Sequence, residues 1–169
     1  FVSASATPVI EAEVMMFPTS SLNKLAMVGF AYLPNGVNQD LAAPPLGIYF
    51  MVSSTSKLDS SIHRNWRAMI KRDNNPYSAA STTADLGVAS STGQFQKLRL
   101  EVTANFATFI IDGEVRANIA LASTHYQGFT TSMMPFISMA NTASATVAGN
   151  GAASGPTDLY VGSMKFWMR

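Results

Sequence analysis

Residues 106–115 read FATFIIDGEV, and no other stretch narrows the fold as far. Bulky residues alternate up to Asp112-Gly113 and resume beyond it. An Asp-Gly pair tolerates the positive φ angles of a two-residue type I′ turn, whose twist matches that of the strands it joins. The two-residue period puts Ala107, Phe109 and Ile111 on one face, and Phe106, Thr108 and Ile110 on the other. Val115, Ala117 and Ile119 are expected to continue the apolar face on the return strand. The turn requirement explains Asp112 by itself, so Asp112 is not counted among catalytic or metal-binding groups.

The same period runs through most of the chain. In PVIEAEVMMF (8–17), Ile10, Ala12, Val14 and Met16 share a face opposite Glu11 and Glu13. KLAMVGFAYL (24–33) is apolar on both faces, as in a strand inside a sandwich, and LGIYFMV (46–52) is a third strand. In HRNWRAMIK (63–71), Trp66, Ala68 and Ile70 alternate with polar neighbours. YSAASTT (77–83) can extend, and FQKLRLEVT (95–103) turns Leu98, Leu100 and Val102 inward. MPFISMA (134–140) and the closing DLYVGSMKFWM (158–168) complete the set. The breaks between them carry turn chemistry: Asn35-Gly36, Pro44-Pro45, and RDNNP at 72–76. About ten short strands without an amphipathic helix make an all-β sandwich or barrel.

With 169 residues the chain fits a single domain over 1–169, long enough to bury its own core. Its first residue, Phe1, suggests a processed or excised part of a longer chain. Only 12% of residues are charged and the net charge is +1, which gives no basic stripe for nucleic acid. Arg64, Arg67, Lys71 and Arg72 form one local cluster, read as a solvated strand running into a charged turn. Cysteine is absent, which removes disulfides, thiol catalysis and thiolate metal sites. No apolar run is long enough to insert into a membrane as a helix.

The order of the strands then suggests a family. FQKLRLEVTANFATFIIDGEVRANI (95–119) resembles the pair of strands and following hairpin of the concanavalin A-like lectin/glucanase superfamily, the laminin-G-like jelly rolls. VIEAEVMMF, the Gly29-Phe30 strand, the Trp66 strand, MPFISMANT and DLYVGSMKFWM agree with it in order. The resemblance implies a two-sheet antiparallel jelly-roll sandwich. Such domains occur as carbohydrate-binding modules of secreted proteins and in tailed-phage virions. The low charge, the Ser/Thr/Ala-rich loops and the lack of cysteine look more like the phage versions.

Few constellations carry chemistry. Glycosidases of that superfamily align their acids as Glu-x-Asp-x-x-Glu on one strand, a spacing suited to retaining hydrolysis. Here only Glu11-Ala12-Glu13 comes near, and paired acids on the wet face of an edge strand also discourage unwanted pairing. His63 and His125 stand far apart with no carboxylate at ligand spacing, and no Gly-x-Ser-x-Gly is present. The resemblance leaves calcium open as a cofactor, through loop oxygens of Asp40, Asp59, Asp73, Asp85 and Asn141, although none forms an Asp-x-Asn-x-Asp run. No metal site is assigned.

A sugar asks for a flat aromatic ring with polar groups beside it. Trp66, flanked by Asn65 and Arg67, and Tyr77 after Asn74-Asn75-Pro76 are the carbohydrate-binding candidates. The competing reading packs Trp66 into the core with Ala68 and Ile70. Trp167, between Phe166 and Met168, suits a strand closing the sandwich or touching another subunit. The methionine pairs at 15–16 and 133–134 place one side chain on each face of a strand. These features lead to the expectation of a non-enzymatic virion module, a capsid decoration, fibre or tail component. Its partners would be other virion proteins, copies of itself, or host surface polysaccharide, and its location virion or extracellular. The alternatives are a secreted lectin-like module that binds polysaccharide and, further off, a glycoside hydrolase or lyase, which the missing acid motif argues against.

Overall fold

The computed structural model describes residues 7–16, 24–31, 46–53, 63–71, 82–91, 93–121, 133–141 and 159–169. Ten strands follow in order: β1 (Pro8–Met16), β2 (Lys24–Ala31), β3 (Gly47–Ser53), β4 (His63–Lys71), β5 (Thr82–Ala89), β6 (Gln96–Val102), β7 (Phe106–Ile111), β8 (Glu114–Ala120), β9 (Met134–Asn141) and β10 (Leu159–Met168). They form two antiparallel five-stranded sheets, β10-β1-β6-β7-β8 (sheet A) and β5-β4-β3-β2-β9 (sheet B). This is a jelly-roll sandwich in which neighbours in space are often far apart in sequence, β1 lying between β6 and β10.

The inner faces interdigitate as the alternation requires. Ile10, Ala12 and Val14 of β1, Leu98, Leu100 and Val102 of β6, and Ala107, Phe109 and Ile111 of β7 meet Ala26, Val28 and Phe30 of β2, Ile48, Phe50 and Val52 of β3, and Trp66, Ala68 and Ile70 of β4. Phe50 is the hinge of this core, edge-on to Phe109 across the sheets at 5.1 Å between centroids and to Trp66 at 6.4 Å.

The hairpin forms as the sequence requires, with φ of 52° at Asp112 and 86° at Gly113, and Ile111 opposite Glu114. Its return strand departs from expectation. Phe109 pairs with Ala117 while Ile110 pairs with Val115, so Arg116 is an extra residue in the ladder. The bulge turns Val115 to the outer side with Ile110, where it is 62% exposed; Ala117 and Ile119 still pack on the core.

Sheet B is buried on its outer side as well. Met27, Ala31, Tyr49, Met51, Met69 and Phe136 form a second apolar cluster there, and Lys71 among them is buried. The reading of the Arg64, Arg67, Lys71 and Arg72 cluster as solvated is therefore corrected at Lys71, which shares a covered face; Arg67 is half-buried and Arg72 lies outside the described residues. Gly29 makes this packing possible. It lies in register between Tyr49 and Phe136, whose rings meet edge-on at 5.6 Å, and a Cβ there would come within 2.4 Å of the Ile48 carbonyl oxygen.

Candidate functional site

Where sheet B ends at β5, its outer face changes from apolar to polar. Trp66 points inward, so Asn65 and Arg67 point outward by strand alternation, and Arg67 stands opposite Asp85 of β5. Asn65 donates from Nδ2 to both carboxylate oxygens of Asp85, at 3.1 and 3.3 Å. Arg67 donates from a terminal guanidinium nitrogen to Thr83 Oγ1 at 3.3 Å. Asp85 also accepts from the Gly87 amide at 2.7 Å. That bond closes an Asx turn where the β4–β5 register slips, and Gly87 sits at φ 68°. Asp85 and Thr83 are exposed, Asn65 and Arg67 half-buried. The result is one fixed cation, one oriented amide, one carboxylate and one hydroxyl on neighbouring strands, bordered by a wall of Met51, Met69 and Tyr49. Burial pushes the Tyr49 phenol well above its ordinary pKa, so it stays protonated and neutral.

The sequence pointed at Trp66 and found its neighbours. Trp66 itself is fully buried in the inter-sheet core, where its indole N–H donates to Gln96 Oε1 at 2.9 Å. A ring with no open face cannot stack on a sugar, which corrects its assignment as a platform. Tyr77 lies outside the described residues, as do His125, Asp40, Asp59 and Asp73. His63 opens β4 and Asn141 ends β9. Among the described residues, no group of three or more His, Asp or Glu is placed to hold a metal ion. The site members not singled out for sugar contact were Thr83 and Asp85. Their signal is the short Asp85-Leu86-Gly87 run, the mark of an Asx turn at a bulge.

Sheet A presents a different outer face. Glu11 and Glu13 do not edge the molecule, because β1 is an interior strand; Lys97 Nζ lies 3.7 Å from one carboxylate and 4.0 Å from the other. Arg99 pairs with Glu101 and lies over the Trp167 ring at 5.5 Å. Arg169 reaches the same Glu101 at 3.5 Å. Exposed pairs of this kind add little stability and are screened by salt. Glu11 and Glu13 thus share this face with Lys97 between them.

No protein-family model matches the chain, and no curated protein matches it. Solved structures do. An alginate lyase from Pseudomonas aeruginosa is similar with a TM-score of 0.58 and 12% identity, over 98% of this chain and 66% of that one. Alginate lyase A1-II', a member of polysaccharide lyase family 7, is similar with a TM-score of 0.54 and 12% identity, over 96% of this chain and 61% of that one. Sheep galectin-11, solved with glycerol, has a TM-score of 0.54 and 12% identity, over 98% of this chain and 93% of that one. The chain thus spans less than two thirds of each lyase's length and nearly all of the galectin's.

At such identities the likeness is one of fold, consistent with a concanavalin A-like jelly roll. It nevertheless corrects the expectation of a non-enzymatic virion module. The similar folds are those of carbohydrate-processing enzymes and a galectin, and nothing in them speaks for a virion. The expectation that the chain is no enzyme leaned on the missing Glu-x-Asp-x-x-Glu. That motif belongs to hydrolysis, whereas a lyase breaks the glycosidic bond by elimination and needs no acid pair at that spacing.

Proposed function

We propose that this protein acts on an acidic polysaccharide, a polymer of uronate sugars, as a lyase working at the β4–β5 edge of sheet B. The observation that supports this reading is the gathering of Asn65, Arg67, Thr83 and Asp85 there, on a fold that alginate lyases share. Elimination removes the proton from the carbon next to the uronate carboxylate and breaks the bond to the oxygen on the adjacent carbon. The electron pair of the C–H bond becomes the new double bond, and the departing oxygen takes up a proton. The barrier is the poor acidity of that C–H while the carboxylate is negative. Arg67 lowers it by neutralising the carboxylate with a charge that is never lost near neutral pH. Asn65, oriented through its amide nitrogen by Asp85, keeps its carbonyl oxygen to accept from a sugar hydroxyl. Asp85, exposed on the same row, receives the proton.

The test is incubation with alginate, polygalacturonate and a neutral glucan, following the ultraviolet absorbance of the unsaturated product and retardation in polysaccharide-containing gels. Uronate polymers alone should give product. Arg67→Ala should lower kcat/KM by about 10–100-fold, with kcat itself reduced, the equivalent of one charge-assisted contact of ~1.5–3 kcal/mol. Asp85→Asn should lower kcat by about 10²–10⁴-fold, the usual worth of a general base. Failure to cleave or be retarded by any uronate polymer would overturn the reading; retardation without product would remove its catalytic half.

A further inference from the structure

β10 is a long edge strand whose inner row of apolar side chains is half-exposed, while Arg99 and Phe95 partly cover its outer face. Among the described residues it is hydrogen-bonded only to β1. Val161, Met164, Phe166 and Met168 lie opposite Val14, Ala12, Ile10 and Pro8, so they point to the side on which sheet B covers β1. Yet each is 41–47% exposed, against 0–1% for Val14, Ala12 and Ile10. Phe166 reaches only the rim of the core, edge-on to Phe30 at 6.0 Å. On the other side of the strand, Tyr160 is 42% exposed and Trp167 is half-buried. Proteins usually blunt such an edge with proline, with lysine or inward-pointing charge, with a bulge or by shortening it; β10 carries Lys165 on its outer row and a register shift beside Ser163. This one runs ten residues without proline, and its inward row carries no charge.

The register of β10 says what fits against it. Glu13 pairs with Ser163 and Val14 with Val161, so Gly162 is a bulge. It resets the alternation, so that Val161 and Met164 share a face although three positions apart. We infer that a second copy of this chain pairs antiparallel along β10, about a two-fold axis through Met164. In that register Met164 faces Met164 of the second copy, and Phe166 faces the other Val161 on the inner side. Trp167 faces the other Tyr160 on the outer side, and Met168 faces the other Leu159. Each copy's Gly162 and Ser163 sit opposite the other's Lys165, so the two bulges match and no like charges meet. A two-fold contact must be self-complementary in this way, and an unrelated partner strand has no reason to share the displaced alternation. The five exposed side chains offer roughly 400 Å² per copy, on the order of half the area per partner in a standard stable interface. The association is therefore concentration-dependent and extends sheet A into a continuous ten-stranded sheet.

The chain contains no cysteine, which makes the register directly testable. Residues directly opposite in an antiparallel pair have Cα atoms about 4.5–5.5 Å apart, within reach of a disulfide. Under mild oxidation, Met164→Cys should form a covalent dimer at least tenfold faster than Val161→Cys, whose two copies would stand about 13 Å apart, four ladder steps. Sedimentation velocity from micromolar to near-millimolar protein should show the unmodified chain moving from monomer to dimer. Met164→Lys, a change at a half-open position, should retain the β-sheet circular dichroism and weaken association at least tenfold. A monomer across the whole range, or a Val161→Cys crosslink as fast as that of Met164→Cys, overturns the inference. If Met164→Lys failed to fold, the paired cysteine rates still decide.

Discussion

Single side chains hold this sandwich at points that the alternation of apolar residues does not reveal. Gln96 is buried at the start of β6 and hydrogen-bonds both along the chain and across to the other sheet. Its Oε1 accepts from Trp66 Nε1 at 2.9 Å and from the Ser91 amide at 2.8 Å, and its Nε2 donates to the Ala89 carbonyl at 2.9 Å. One amide thereby fixes the indole and the chain between β5 and β6. Gln96→Leu keeps the volume but leaves the buried Trp66 donor and the half-buried Ser91 donor without acceptors. It should cost about 2–4 kcal/mol at roughly 1–3 kcal/mol per orphaned group, seen as a lower urea midpoint at unchanged slope. Tyr49 makes a prediction of opposite kind. Its pKa in the fold is raised by burial, so above about pH 10 the unfolded chain loses that proton and the folded one keeps it. The unfolded state then binds fewer protons, and stability falls as pH rises beyond about 10, with no contribution below it. Urea midpoints taken across that range should drop more steeply for the native protein than for Tyr49→Phe.

At the scale of elements, alternation marked the strands, and its failures have physical causes. The faces of β1, β6 and β7 follow the two-residue period because each runs without an extra residue between turns, and β4 keeps it from Trp66 to Ile70 beyond its register shift. Val115 breaks the rule because a bulge inserts Arg116 into β8, and a bulge depends on what the partner strand does. Gly29 is similar: in the sequence it is a glycine within an apolar run, in the structure the floor beneath the Tyr49 and Phe136 rings. A Cβ at Gly29 would come within 2.5 Å of the Tyr49 Cα, which is backbone and cannot step aside. Gly29→Ala should therefore separate β2 from β3 and destabilise by more than ~3 kcal/mol, beyond the cost of an ordinary overpacked side chain. Thermal unfolding by circular dichroism measures it, and Gly113→Ala, which adds a Cβ in open space at the hairpin tip, is the milder comparison.

Across the whole molecule the fold was far more legible than the site. A jelly roll is written in local alternation and turns, all of which a single sequence displays. The polar cluster depends on β4 and β5 aligning Asn65 and Arg67 with Thr83 and Asp85, a pairing the sequence could not state because β5 carries little apolar signal. β5 faces β8, and β1 faces β2, so the β5 and β10 edges stand at opposite sides of the sandwich. That geometry separates the two proposals made for this chain. Joining two copies at β10 would leave both β4–β5 clusters at the outer ends of the assembly, neither touching the interface. Met164→Lys should then cleave a short oligouronate within about twofold of the native rate, because each site is complete in one copy. Its retention on a long polymer should fall by an order of magnitude or more, since two linked sites rebind one chain with an avidity that a single site lacks. Arg67→Ala should show the reverse, an unchanged association constant in sedimentation and weakened handling of substrates of every length. Parallel loss of dimer and short-oligomer cleavage in Met164→Lys would mean that the site is completed across the two-fold axis, and the separation of the two edges would not hold.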